Sequence, residues 1–284
     1  MTAAGLAARP VASAGWASLR DALRMEWTKL RTVSSTFWLL LAAAALTIAV
    51  SAAVSAAVNC ADGGPGGCAA AVTGIDPIKT SLSGVDLSQV IVALVAVLAI
   101  GGEYGTGMIR LTLTAVPRRV TVLAAKAAVV TGWTLTASVL AVLGSLLAGR
   151  LILPARGVTA ANRYVLPSLA NGPDVRAAAG TVLYLVLIAL LSLGVATALR
   201  DSAAAIGVVL GLLYLFPIIS AVIPDHILAR HLEQIAPMTS GLYIQSTVGL
   251  KSLPLTPWQG LGVLAAWAFG ALLLGALVLR LRDA

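Results

Sequence analysis

The run TFWLLLAAAALTIAVSAAVSAAV, residues 36–58, places 23 residues in a row without one charge. A bilayer core of about 30 Å needs about 20 apolar residues in a helix, so this stretch reads as a membrane span. Outward from it, charge-free runs recur at residues 87–102, 127–149, 177–199, 202–224 and 252–279. In the last of these, Pro254 and Pro257 delay the helix to about Trp258. The expected spans are therefore about 36–58, 86–102, 127–149, 177–199, 202–224 and 258–279. The second has only 16 uncharged residues, so it either extends outward past Asp86 or is partly re-entrant.

Composition excludes the other classes. Of 284 residues, 59% are hydrophobic and 11% charged, against about 45–50% and about 25% in an average soluble chain. A water-soluble domain so poor in charge could not cover its surface, and disorder needs the opposite imbalance. The fold expected is an all-α integral membrane protein of six transmembrane helices.

Positive residues mark the cytoplasmic side. With the N-terminus inside, twelve Lys and Arg lie on inner segments and seven on outer ones. The loop from Arg150 to Arg176, with four Arg, runs against this. The first span's flanks favour it, so both termini are expected in the cytoplasm of a cell whose plasma membrane the chain crosses. The net charge of +8 then belongs beside anionic membrane lipid, and no nucleic-acid partner is expected.

Residues 1–15, rich in Ala and Gly, read as a disordered tail before a single transmembrane domain, 16–284. From Trp16 the pattern turns helical: Trp16, Leu19, Leu23, Trp27 and Leu30 fall within an arc of roughly 80°. Arg20, Arg24 and Arg31 flank that arc. An interfacial helix over residues 16–33 follows, with Trp at headgroup depth and Arg reaching phosphate. A cleaved signal peptide is the alternative, but an n-region of 35 residues is too long for one.

Cys60 and Cys68 flank Gly-Gly-Pro-Gly-Gly in the first outer loop, where a disulfide can persist and the turn eases closure; free thiols are the alternative. Motifs for chemistry are missing: no Walker phosphate loop, no HExxH, no GxSxG within a span. His226 and His231, five apart, do not converge on one metal, so neither a catalytic site nor a resident cofactor is expected. Between their boundaries the spans hold no Asp, Glu, Lys, Arg or His. Ion-coupled carriers usually keep such a group in the membrane, so energy for transport is expected from elsewhere.

Neutral polar groups do occur. Thr47, Ser51 and Ser55 stripe the first span, and Thr131, Thr134 and Ser138 the third. Such stripes satisfy backbone or bridge helices; lining a substrate path is the alternative. Gly207-x-x-x-Gly211 and the ladder Gly262, Ala266, Gly270 read as helix contacts within the chain, a dimer seam being the alternative. Residues 225–235 read as an amphipathic helix on the outer membrane face, with Ile227, Leu228, Leu232 and Ile235 on one side and Pro237 as its stop.

The inner loop between spans two and three is the most informative stretch: an acid at the membrane exit, a small flexible turn, a helix of about two turns, a Pro stop and a basic return through Lys126. Its order Glu103-Tyr104-Gly105-Thr106-Gly107-Met108-Ile109-Arg110, then Pro117-Arg118-Arg119, resembles the type-2 class of ABC exporter permeases. The actinobacterial branch is the most similar, with Glu-Trp-Thr-Lys-Leu-Arg (Glu26 to Arg31) before the first span. One departure is Gly105, where that class often carries a charge.

The resemblance implies an N-terminal elbow helix and a cytoplasmic coupling helix between spans two and three. It also implies a separate nucleotide-binding subunit that hydrolyses ATP with Mg, so the chain itself is no enzyme. Glu103, Tyr104, Thr106, Gly107, Met108, Ile109 and Arg110 are the implied ATPase-coupling residues, with Glu26, Lys29 and Arg31 as a second contact set. Two six-span halves, as a homodimer or as a heterodimer with a similar permease, would frame the pathway. An ion-coupled secondary carrier and a membrane scaffold without transport are the alternative functions.

Overall fold

A computed structural model describes residues 20–28, 34–58, 76–109, 119–159 and 165–281. The disordered-tail reading and the pairing of Cys60 with Cys68 lie outside them. Regular structure among the described residues is entirely helical. Helix α1 covers residues 20–28. It is followed by α2 (Ser34–Ala57), α3 (Pro77–Ser81), α4 (Val85–Gly105), α5 (Arg119–Ile152), α6 (Gly172–Leu199) and α7 (Ser202–Val222). The order ends with α8 (His226–Ile235), α9 (Pro237–Leu242) and α10 (Pro257–Leu281). Six of these, α2, α4, α5, α6, α7 and α10, are long and apolar enough to cross a membrane.

The helix ends sort into two faces. One, here the proximal face, carries α1, the ends of α4, α6 and α10, and the starts of α5 and α7. Arg119 donates to the Leu279 carbonyl at 2.9 Å and Arg200 to that of Val278 at 3.1 Å, so both close on the end of α10. The other, distal face is fastened by Asp76. Its carboxylate accepts from Ile78 N at 3.1 Å, Lys79 N at 3.2 Å, Thr247 Oγ1 at 2.8 Å and Val248 N at 3.0 Å, and also from Thr247 N. Arg176 reaches the Ser246 carbonyl beside it. Asp76→Ala removes charge-assisted bonds to the first turn of α3 and to the loop at Thr247 and Val248, a loss of about 1.5–3 kcal/mol. Tryptic cleavage at exposed Lys251 is then expected to quicken by about 10- to 150-fold.

Helix α6 is the hub: two thirds of its most apolar stretch is buried, against about one sixth for α7. Its tightest partner is α10. A Cβ on Gly194 would lie 2.5 Å from the Ala271 carbonyl carbon, and one on Gly275 would lie 2.9 Å from the Gly194 carbonyl oxygen. Both glycines are there because two backbones touch. The ladder read from sequence is different: a Cβ on Gly207, Gly211, Gly262 or Gly270 meets nothing within 4 Å. These glycines do not pack helices within the chain, which corrects the reading of them as intrachain contacts. In a chain with 27 Gly, spacing alone does not separate contact glycines from open ones.

The second span begins at Val85, one residue before Asp86. Ahead of it α3 and the turn at residues 82–84 tuck inward, with Ile78, Leu82 and Val85 buried. Ser51 Oγ accepts from Gly84 N at 3.0 Å, six residues short of the end of α2, so the lead-in lies below the distal rim.

Asp225 caps α8, its carboxylate accepting from Ile227 N at 2.8 Å. The helix does not lie flat on the membrane face. Its last carbonyl, of Ile235, accepts from Trp267 Nε1 at 2.9 Å, and Trp267 is ten residues, about 15 Å, along α10 from Pro257. Helix α9 then climbs back, with the Ser240 carbonyl against Gly260. Helix α8 thus runs back along the outside of the bundle without a buried residue, and α9 packs into it through Pro237, Ser240 and Gly241. An amphipathic pattern fixes which side of a helix is apolar but not its tilt, and Trp267 with Gly260 sets the tilt here.

Candidate functional site

Lys126 lies in the second turn of α5, on the proximal side, and is 2% exposed. Its ammonium donates to Glu26 Oε2 at 2.7 Å, to Glu103 Oε1 at 2.9 Å and to the Ala99 carbonyl at 2.9 Å. A lysine ammonium has three donors and no acceptor, and here it meets three acceptors from two separate elements. Glu26 and Glu103 are 2% and 8% exposed. The site therefore locks α1, the end of α4 and the start of α5 into one block.

Local sequence explains the arrangement. Ala22 and Glu26, one turn apart, share a helix face. Ala22 is buried with Val122 and Ala125 of α5, which seats Glu26 over Lys126. Trp27 stacks on Trp133 at 5.5 Å between centroids and 27° between planes. Trp133 stands seven residues after Lys126, two turns on, on the same side of α5. The buried face of α1 is thus the Ala22–Glu26 side, while Trp27 of the expected membrane-facing arc stays half-exposed. Of the expected arc, Leu23 is half-buried beside Ala22 and Trp27 is exposed, while the opposite flank turns Glu26 toward Lys126.

Beyond the lock the chain reaches a tip. Tyr104 lies under the Arg200 guanidinium, 5.9 Å from its ring centroid. Gly105, Thr106, Gly107 and Met108 are exposed, and Ile109 is buried. Thr106 ends α4, its hydroxyl donating back to the Gly102 carbonyl at 2.8 Å. Gly107 has φ +71°, a left-handed turn that favours glycine, and the chain is helical again at Met108 and Ile109. Arg110, Lys29 and Arg31 lie outside the described residues.

The expected site residues thus divide. Glu26 and Glu103 point inward to Lys126, whereas Thr106, Gly107 and Met108 point outward. Thr47, Ser51 and Ser55 are all buried. Thr47 donates to the Ala43 carbonyl at 2.6 Å, and Thr47 and Ser51 pack on Gly84. On α5, Thr134 and Ser138 are buried and Thr131 is half-buried. Lys126 was visible in the sequence only as a basic return to the membrane. The available signal was its setting, a lone Lys between Ala-Ala and Ala-Ala-Val-Val, where a charge must find a partner.

A second polar cluster lies distally. Gln89, fully buried, donates to Tyr214 OH at 3.1 Å and to the Asp86 carbonyl at 3.0 Å, and accepts from Tyr184 OH. It ties α4 to α6 and α7. Tyr243, buried beside the Glu233 carboxylate, has its phenol held well above its usual range by burial and that charge. It stays a donor, to Glu233 at 3.2 Å.

The proximal half also holds a groove of about 830 Å³ between α6, α7 and α10, roofed by Gln234 and Ile235. Among the described residues no group of three or more His, Cys, Asp and Glu gathers to hold a metal. Compared with protein-family models and with curated proteins, the chain matches none.

Proposed function

We propose that the chain is the membrane-spanning permease subunit of an ABC transporter of exporter type, worked by a separate ATP-hydrolysing subunit. The observation that carries this reading is the Glu26–Lys126–Glu103 lock behind an exposed tip. A load applied at Thr106–Met108 passes through buried ion pairs into α4, α5 and α1 together, rather than dissipating in a loose loop. That is what a coupling element needs in order to convert a partner's motion into a shift of the spans. Helix α1 is the elbow in this reading, and the exposed tip at Thr106–Met108 belongs to the coupling element.

The proximal face is then cytoplasmic, in a plasma membrane. ATP binding closes the partner subunits, the tips move with them, and the tighter affinity of ATP for the closed state supplies the drive. The exposed faces of α7 and α8, with Arg230 and His231 on a helix that turns back along the spans, support a second permease half across the pathway. A charged face at that depth needs protein or water opposite it.

Copurification from native membranes with a Walker-containing subunit, followed by an ATPase assay, tests the proposal. Met108→Asp puts a charge on the exposed tip without touching the lock. It is expected to weaken partner docking about tenfold, equivalent to about 1.4 kcal/mol, with thermal unfolding of the permease unchanged. A purified chain that moves solute with no such subunit bound would overturn the reading.

A further inference from the structure

We infer that the groove between α6, α7 and α10 is a binding site for one acyl chain of a phospholipid from the proximal leaflet. The inference stands on the fold alone and does not need the transport reading.

The walls are apolar throughout: Leu191 and Val195 on α6, Leu212 on α7, Val263, Gly270 and Leu274 on α10. The two polar side chains at the roof have their donors engaged. Gln234 Nε2 donates to the Pro254 carbonyl at 3.3 Å, and Trp267 Nε1 is bonded to the Ile235 carbonyl at 2.9 Å, so Trp267 offers the groove only its ring. Such a space does not hold water stably, and about 830 Å³ lies within the range of small-ligand sites, roughly 300–1,000 Å³.

Length selects the occupant. Along α10 the lining runs from Leu274 to Val263, eleven residues, or about 16 Å. Half of a bilayer core is about 15 Å, so the groove is one leaflet deep. At its upper end the last turn of α8 closes it, with Ile235 pinned by Trp267. A helix of another chain, about 10–12 Å across and crossing the whole membrane, cannot follow the groove past that roof. A single chain entering from the proximal side can. Leu199 and Leu274, 43% and 56% exposed, form the open rim toward lipid. Exposed Arg280 stands at the proximal end of α10, at headgroup depth and about 120° around the helix from Leu274. Gly270 keeps the wall hollow, since a Cβ there meets nothing within 4 Å.

The test uses the full chain, purified and delipidated in detergent, titrated with phosphatidylglycerol carrying 11,12-dibromostearoyl chains. The Trp267 share of the emission is taken as the difference from Trp267→Phe. Expected is a saturable loss of most of that emission at one lipid per chain. Gly270→Leu, which fills the groove, should abolish it with helix content by circular dichroism unchanged; Ala266→Leu on the same wall is the second filler should Gly270→Leu fail to fold. Quenching that climbs without saturation, or that persists in the filled variant that folds, overturns the inference. So does saturation by free dibromostearic acid with none by the phospholipid. A Gly270→Cys disulfide joining two copies in native membranes would show a seam between copies instead.

Discussion

Lys126→Met is expected to be the most damaging single substitution at the proximal face. It removes the ammonium that lies 2.7 Å from Glu26 and 2.9 Å from Glu103, leaving two buried carboxylates facing each other. Removing one partner of a buried ion pair costs about 3–5 kcal/mol, a large part of a typical total stability of about 5–15 kcal/mol. Urea titration of the purified chain, followed by tryptophan emission, reads the loss. Trp27 on Trp133 reports the release of α1 directly. Lys126→Arg should not rescue it, because a planar five-donor fork does not map onto three convergent acceptors. The triple variant Glu26→Gln, Lys126→Met, Glu103→Gln should recover most of the stability, since no charge is then left uncompensated. If Lys126→Met unfolds at the same urea concentration as the parent, the lock carries no energetic weight.

Gly194→Val is the second large effect. Its new side chain would be driven into the backbone of α10 at Ala271 and Leu272, 2.5 and 2.6 Å from an added Cβ. Backbone in a helix has nowhere to retreat, and overpacking of this kind costs about 1–3 kcal/mol or somewhat more. Because α6 is the hub, separation from α10 is expected to loosen the whole bundle. A drop in thermal midpoint of several degrees, about 2–4 °C per kcal/mol for a chain of this size, should be seen by scanning fluorimetry. Gly262→Val, open by the same geometry, is the matched control. A control that falls as far as Gly194→Val would refute the α6–α10 contact.

The sequence made the six spans legible because hydrocarbon thickness imposes one length on every helix that crosses it. What lay between them was less legible. Lys126 and Glu26 are one hundred positions apart, and no local pattern pairs them. Glu26 and Glu103 were read as contacts to a partner because the resemblance assigned them there, and nothing local marked them as inward-facing. Only the lone lysine inside an alanine run signalled otherwise. Helix α8 showed the same limit: His226–Ile235 was plain from Asp225 and the apolar spacing, but its tilt depends on Trp267, in a helix that begins 22 residues after Ile235. Asp76 was missed altogether, since nothing in the distal loop marks it as the joint to Thr247 and Val248.

Helix α1 is a component of the bundle rather than an appendage. Replacing it with an affinity handle, or grafting the spans behind another protein's leader, would strip the partner from Lys126 unless a carboxylate were kept at position 26. Chimeras of this chain should therefore be cut ahead of Arg20, never between it and α2.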